Sequence, residues 1–216
     1  MAEALQCDTD VSGSDVSQIS SHEHRGAQRY TLLIRAAKLI GPTGEYMCVI
    51  RDASESGANV RLFHPLPECD RMMLELQNGD QHEMEVVWQE ENRAGLRFSA
   101  EADIARIIEC PSRFAKRPVR INLDVAAMLS SLSQQAGVRI KNISQQGAQV
   151  ISKHRFAIDQ RVQLSADGLP EVNAKIRWRR GELFGLVFED TFQFGDLARI
   201  IADMQQDEEA ALVTAS

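Results

Sequence analysis

Aromatic residues are scarce in this chain, with two Trp, two Tyr and eight Phe making up 6% of 216 residues. That scarcity argues against a single-stranded nucleic-acid groove, which needs several exposed rings along a basic track so that successive bases can stack. Long apolar runs are missing too. No stretch approaches the roughly 20 apolar residues of a membrane-spanning helix, and the N-terminus, MAEALQCDTDVSGSDVSQ, lacks the basic start and apolar core of a secretory signal. The expectation is a soluble, cytoplasmic protein with no membrane partner. Cysteine is sparse, at Cys7, Cys48, Cys69 and Cys110 with no C-x-x-C pair, so buried free thiols are expected rather than disulfides or zinc ligands. His22 and His24 have no partners at metal-ligand spacing, and no metal site is expected. No Ser/His/Asp or Cys/His arrangement, no catalytic carboxylate pair and no glycine-rich NTP loop is visible. The chain is therefore not expected to be an enzyme.

Positive charge is absent from both ends. Glu3, Asp8, Asp10, Asp15 and Glu23 face no Lys or Arg in residues 1–24, and Asp203, Asp207, Glu208 and Glu209 face none in 203–216. The span 25–202 holds all 24 basic residues against 22 acids, so a net charge of −7 conceals a slightly basic body. This balance argues against duplex DNA as a partner and permits a small anionic ligand. Residues 1–23, rich in Ser, Asp, Gln and Gly, cannot bury enough surface to offset the entropy of ordering and are expected to form a disordered acidic tail.

The body repeats itself. Asp52-Ala-Ser54-Glu-Ser-Gly57 recurs as Asn142-Ile-Ser144-Gln-Gln-Gly147 at an offset of 90 residues, and Trp88, Gly95 and Phe98 recur as Trp178, Gly185 and Phe188 at the same offset. Ala102-Asp-Ile-Ala-Arg-Ile-Ile108 recurs as Gly195-Asp-Leu-Ala-Arg-Ile-Ile201 at 93. The order and the near-constant offset indicate a duplication, with a boundary near Cys110-Pro111-Ser112, where proline ends an apolar helix. Each copy shows about six short strands separated by turn residues, then one helix with apolar residues at i, i+3 and i+4: Ile104, Ile107 and Ile108, then Leu197, Ile200 and Ile201. The expected fold is mainly β, two six-stranded antiparallel barrels each closed by a C-terminal helix, because closure removes unpaired edges. The domains are expected at 24–110 and 111–205, with an acidic C-terminal tail over 206–216. Asp52, Ser54, Ser56 and Gly57 read as a turn between strands, and Trp88 and Trp178, on apolar alternation, read as core or rim packing.

Two arginines four apart, Arg25 and Arg29, precede the first strand. An R-x-x-x-R pair ahead of strand one, D/N-x-S-x-x-G after strand two, a W…G-x-x-F hairpin and a closing helix together resemble the PilZ domain, the cyclic di-GMP receptor module, over about 24–110 and again 113–205. The chemistry suits such a ligand, which carries two phosphodiester anions and two guanines: guanidinium grips phosphate or guanine O6/N7 bidentately and stacks on purine faces. The resemblance implies that Arg25 and Arg29 clamp phosphate and guanine, that Asp52 accepts from guanine N–H groups and that Ser54 adds a hydroxyl contact. It also implies that Gly57 gives a positive-φ turn and room for close approach. In the second copy the same spacing sets Lys116 and Arg120 opposite Arg25 and Arg29, with Asn142, Ser144 and Gly147 completing a degenerate motif. A shifted register, Arg113 and Arg117, restores R-x-x-x-R farther from the turn. Lys at a bidentate position and a neutral Asn weaken the contact. The expected function is a cyclic di-GMP receptor working mainly through the first copy and passing the signal to a downstream protein. The alternative is a ligand-independent PilZ adaptor acting by protein–protein contact.

Overall fold

The structure, a computed structural model, describes residues 30–111 and 118–214. Arg25, Arg29 and Lys116, and the acidic segment 1–23, lie outside the described residues. Period-2 alternation with turn residues at each join produces antiparallel hairpins. The first repeat forms β1 (Tyr30–Gly41), β2 (Gly44–Ser54), β3 (Gly57–Arg61), β4 (Arg71–Leu76), β5 (Gln81–Glu90), β6 (Arg93–Phe98) and α1 (Ile104–Glu109). The second forms β7 (Ile121–Ser130), β8 (Gln135–Ser144), β9 (Gly147–Ile151), β10 (Arg161–Ala166), β11 (Leu169–Arg180), β12 (Leu183–Phe188) and α2 (Phe194–Thr214). Barrel 1 closes in the order β1-β2-β3-β6-β5-β4 and barrel 2 in the equivalent order β7-β8-β9-β12-β11-β10.

Inward alternation fills each barrel. Leu39, Ile50, Val60, Leu74 and Met84 are fully buried in barrel 1, and Ile121, Leu129, Ile140, Leu164 and Ile176 in barrel 2. Each such side chain contributes about 1.5–3 kcal/mol by leaving water. Helix α1 is capped by the Asp103 carboxylate, which accepts from Arg106 N–H at 3.1 Å. The helix is pinned to the β4–β5 turn by two bonds from the Arg106 guanidinium to Asp80, at 2.7 and 2.9 Å.

Two details differ from the sequence expectation. Strand β2 runs on through Asp52 to Ser54, so Asp52 and Ser54 are strand residues and the turn is only Glu55-Ser56; in barrel 2 it is Gln145-Gln146. Helix α2 continues to Thr214, through acidic residues the sequence reading assigned to a tail. Its middle is held from the other barrel. The Gln205 side-chain carbonyl accepts from Glu45 N–H at 2.9 Å and its amide donates to Glu45 C=O at 3.0 Å, while Ala198, Ile201, Ala202 and Met204 are buried.

A seam joins the barrels. Met47 of β2 belongs to the apolar cluster of barrel 2, and Ala36 and Phe63 pack against that cluster. Phe63 meets Phe194 edge to face at 5.6 Å. Glu45, at the start of β2, accepts from the backbone and the side-chain amide of Asn122 on β7, both at 2.8 Å.

Candidate ligand-binding site

A β-bulge aims the motif outward. Ile50 pairs with Val60, both inside barrel 1, but the next pair in register is Asp52 with Asn59. Arg51 is the extra residue, and the slip reverses the inside–outside phase. A second bulge, between Val86 and Trp88, does the same for β5, so that Trp88 pairs with Gly95. Directly paired residues share a face. The outcome is one row across four strands on the outer surface, Asp52, Asn59, Gly95 and Trp88, with the Thr31 backbone paired to Asp52 on β1 and with Ser54, Gly57, Arg97 and Glu85 in the row beside it.

These residues line an open depression of about 210 Å³, bordered by Asp52, Ser54, Gly57, Asn59, Trp88 and Arg97. Trp88 lies across Gly95 and is 39% exposed; a Cβ on Gly95 would meet the indole Nε1 at 2.1 Å. The glycine is what lets the ring lie flat as a shelf. The Asn59 Oδ1 is buried with no hydrogen-bond partner, and no donor among the described residues reaches the Asp52 carboxylate. The buried Asn59 Oδ1 is costly unless something donates to it, and the half-exposed Asp52 carboxylate beside it in the row is a second acceptor open to a donor. Arg97 is drawn toward Glu85 at 3.5 Å, an exposed pair of little strength.

Of the residues singled out from sequence, Asp52, Ser54 and Gly57 come together here. Ser54 is buried and serves the hairpin, its Oγ 3.2 Å from Ser56 Oγ and donating to Gly57 C=O at 3.4 Å. Gly57 does not adopt the positive φ expected of it; among the described residues the positive-φ glycines are Gly44, Gly79, Gly168 and Gly181. It is needed because a Cβ there would stand 2.3 Å from the Leu96 carbonyl oxygen. Asn59, Trp88 and Arg97 were not singled out as binding residues. The alternation that assigned Trp88 to packing fails at the bulge. Asn59, two residues after Gly57, carries no signal until the register is known.

Barrel 2 repeats the geometry with different chemistry. Its row is Asn122, Asn142, Gln149, Gly185 and Trp178, produced by bulges between Ile140 and Asn142 and between Ile176 and Trp178. Trp178 is 42% exposed across Gly185. Here the polar groups satisfy one another: Arg120 donates to Asn142 Oδ1 at 3.0 Å, and Asn142 Nδ2 donates to Gln149 Oε1 at 2.7 Å. Ser144 Oγ donates to Gly147 C=O at 3.1 Å, and Gly147 is barred from a Cβ by Leu186 C=O at 2.2 Å. Asn122 aligns with Thr31 in the strand registers. Counted in sequence from these two residues, Arg120 corresponds to Arg29 and Lys116 to Arg25, and of these four only Arg120 is among the described residues.

The PilZ domain pattern matches residues 23–110 and again 111–204. The chain belongs to the PilZ domain family. Among solved structures it is similar to Borreliella burgdorferi PlzA in complex with c-di-GMP, at 12% identity over 79% of this chain and 87% of that one, TM-score 0.34. It is also similar to Escherichia coli YcgR in complex with c-di-GMP, at 10% identity over 84% and 88%, TM-score 0.33. Bacillus subtilis inhibitor of motility, MotI/DgrA, follows at 13% identity over 83% and 99%, TM-score 0.34. No curated protein matches the chain. PilZ membership fixes what kind of module each barrel is; the chemistry of each site comes from the residues in its row.

Proposed function

We propose that the protein is a cyclic di-GMP receptor that binds through barrel 1 and passes the signal to a partner protein. The supporting observation is the buried, unpartnered Asn59 Oδ1 beside the Asp52 carboxylate, in the row that ends on the Trp88 shelf; in sequence, Arg25 and Arg29 immediately precede the first strand of this barrel. A guanine presents two adjacent N–H donors on its Watson–Crick edge and a flat face, which fit neighbouring acceptors and an indole. Barrel 1 is itself acidic, with 14 Asp and Glu against eight Lys and Arg over 30–111. Phosphate charge must then be met by the arginine segment. Arg25 and Arg29 would grip phosphate and guanine, Asp52 and Asn59 would accept from the base, Trp88 would stack on it, and Ser54 and Gly57 would hold the hairpin that presents Asp52. Closing the arginines over the ligand changes the surface at that end of barrel 1, which is how a bound nucleotide becomes visible to a partner.

Isothermal titration of cyclic di-GMP into the intact chain, with GTP as control, tests this. Binding that is lost in Arg25→Ala/Arg29→Ala and weakened about tenfold or more in Asp52→Ala and Trp88→Ala is expected. A folded wild type that gives no heat sinks the receptor reading and leaves the adaptor.

A further inference from the structure

The seam places a negative charge from barrel 1 beside the motif of barrel 2. Asn122 is the direct cross-strand partner of Asn142, and paired residues project from the same face with Cβ atoms about 5 Å apart. The Asn122 side chain is engaged by Glu45, whose carboxylate takes both the side-chain amide and the backbone N–H of Asn122 at 2.8 Å. Lys38 holds the same carboxylate from within barrel 1 at 3.0 Å, and also reaches Glu75 at 3.3 Å. The Glu45 backbone is fastened independently by the two bonds to Gln205 on α2. Thus Glu45 is held by three residues, Asn122, Lys38 and Gln205, beside the first position of the row Asn122-Asn142-Gln149-Gly185-Trp178.

We infer that Glu45 is a built-in anionic occupant of the barrel 2 site, so that barrel 1 closes barrel 2 to an anionic nucleotide and the chain takes one ligand per molecule. A carboxylate beside Asn142 repels a phosphodiester and already holds the donors of Asn122. The remaining polar groups of the row, Asn142 and Gln149, are occupied with each other, and Arg120 beside the row is occupied with Asn142. Duplication thereby leaves one barrel as receptor and turns the matching face of the other into the joint that carries it. The inference rests on the receptor reading for its ligand but on the seam for its geometry, and the test separates the two.

Cyclic di-GMP is titrated into three forms of the full chain. Arg25→Ala/Arg29→Ala is expected to bind none. Adding Glu45→Gln to that background is expected to restore about one equivalent, because Gln keeps the shape and removes the charge. Adding Arg120→Ala to the triple variant is expected to abolish it again. Binding in the double variant that depends on Arg120, or no binding after Glu45→Gln, overturns the proposal. A wild type that binds nothing overturns the receptor reading instead, and the seam is then judged without ligand. Glu45→Gln must shift the side-chain amide resonances of Asn122 and Asn142 while leaving that of Asn59 in place. Unshifted Asn122 and Asn142 resonances overturn the occupancy itself.

Discussion

Replacing Gly57 by alanine separates two accounts of the same glycine. If the motif glycine serves the ligand, Gly57→Ala leaves the barrel intact and costs affinity. The structure assigns it a backbone duty: a Cβ at Gly57 would lie 2.3 Å from the Leu96 carbonyl oxygen, whereas ordinary contact begins near 3.4 Å. Strands β3 and β6 would have to part by about 1 Å. A carbonyl locked in a ladder cannot swing away as a side chain can, so the cost is that of overpacking, about 1–3 kcal/mol. The neighbouring bond from Phe98 N–H to Ser56 C=O, at 3.0 Å, lies at the same end of the ladder. Its weakening adds about 0.5–1.5 kcal/mol. The expected loss of about 2–4 kcal/mol is a large share of the 5–15 kcal/mol typical of a domain. Gly147→Ala in barrel 2, where the oxygen is Leu186 C=O at 2.2 Å, should cost the same although that barrel is not the proposed receptor. Urea unfolding followed by far-UV circular dichroism measures both. Equal losses support the backbone account; wild-type stability in Gly57→Ala together with lost nucleotide binding refutes it.

Further predictions test other joints. Arg106 holds the Asp80 carboxyl down at about 2, below its usual 3.8, so the pair stabilises barrel 1 above pH 4 and that contribution disappears as pH falls from about 4 to about 2. Arg106→Gln should flatten this acid limb in thermal melts between pH 2 and pH 6, and an unchanged limb refutes the linkage. Phe63→Ala removes the ring that meets Phe194 and lies over Gly195. It should cost about 2 kcal/mol at the seam and split a single calorimetric transition into two; one undivided transition at the wild-type temperature counts against the seam. Burial pushes the Cys48 thiol far up, whereas Cys69 is only partly covered and is raised by burial and by the neighbouring Asp70. In a Cys7→Ser background a thiol reagent should label Cys69 in the native protein and Cys48 only on unfolding; early labelling of Cys48 argues against a closed barrel.

The two barrels were legible from the sequence because each rests on local signals: alternation within strands, turn residues between them and an apolar helical stripe at each end. The offset of 90 between copies survives in the structure as identical registers, Ser54 with Gly57 and Ser144 with Gly147. The change to 93 falls inside the second helix: five residues separate Phe98 from α1 and Phe188 from α2 alike, but α2 begins three residues ahead of Leu197, the residue that matches Ile104. What the pattern could not supply is phase. A bulge adds one residue without altering composition, and alternation counted through Val86 carries Trp88 to the wrong side. The same miscount makes Asp52 look like a turn residue, although it lies on a strand and faces outward.

The seam was hidden for a different reason. Glu45, Asn122 and Gln205 are ordinary polar residues far apart in the chain, and nothing in their neighbours marks them; only closure of both barrels brings them together. Their arrangement gives an amide at position 142 a physical advantage over a carboxylate. A carboxylate at 142 would face the Glu45 carboxylate across one strand pair, and like charges at that distance oppose each other. Asn142 removes the repulsion and offers one face to Arg120 and the other to Gln149. The neutral amide at 142 is what suits this face as a joint. Asn142→Asp should therefore loosen the seam, lowering the melting temperature of barrel 2, and Glu45→Gln should rescue it. Loss of stability in Asn142→Asp that Glu45→Gln leaves uncorrected would break the link between the two positions.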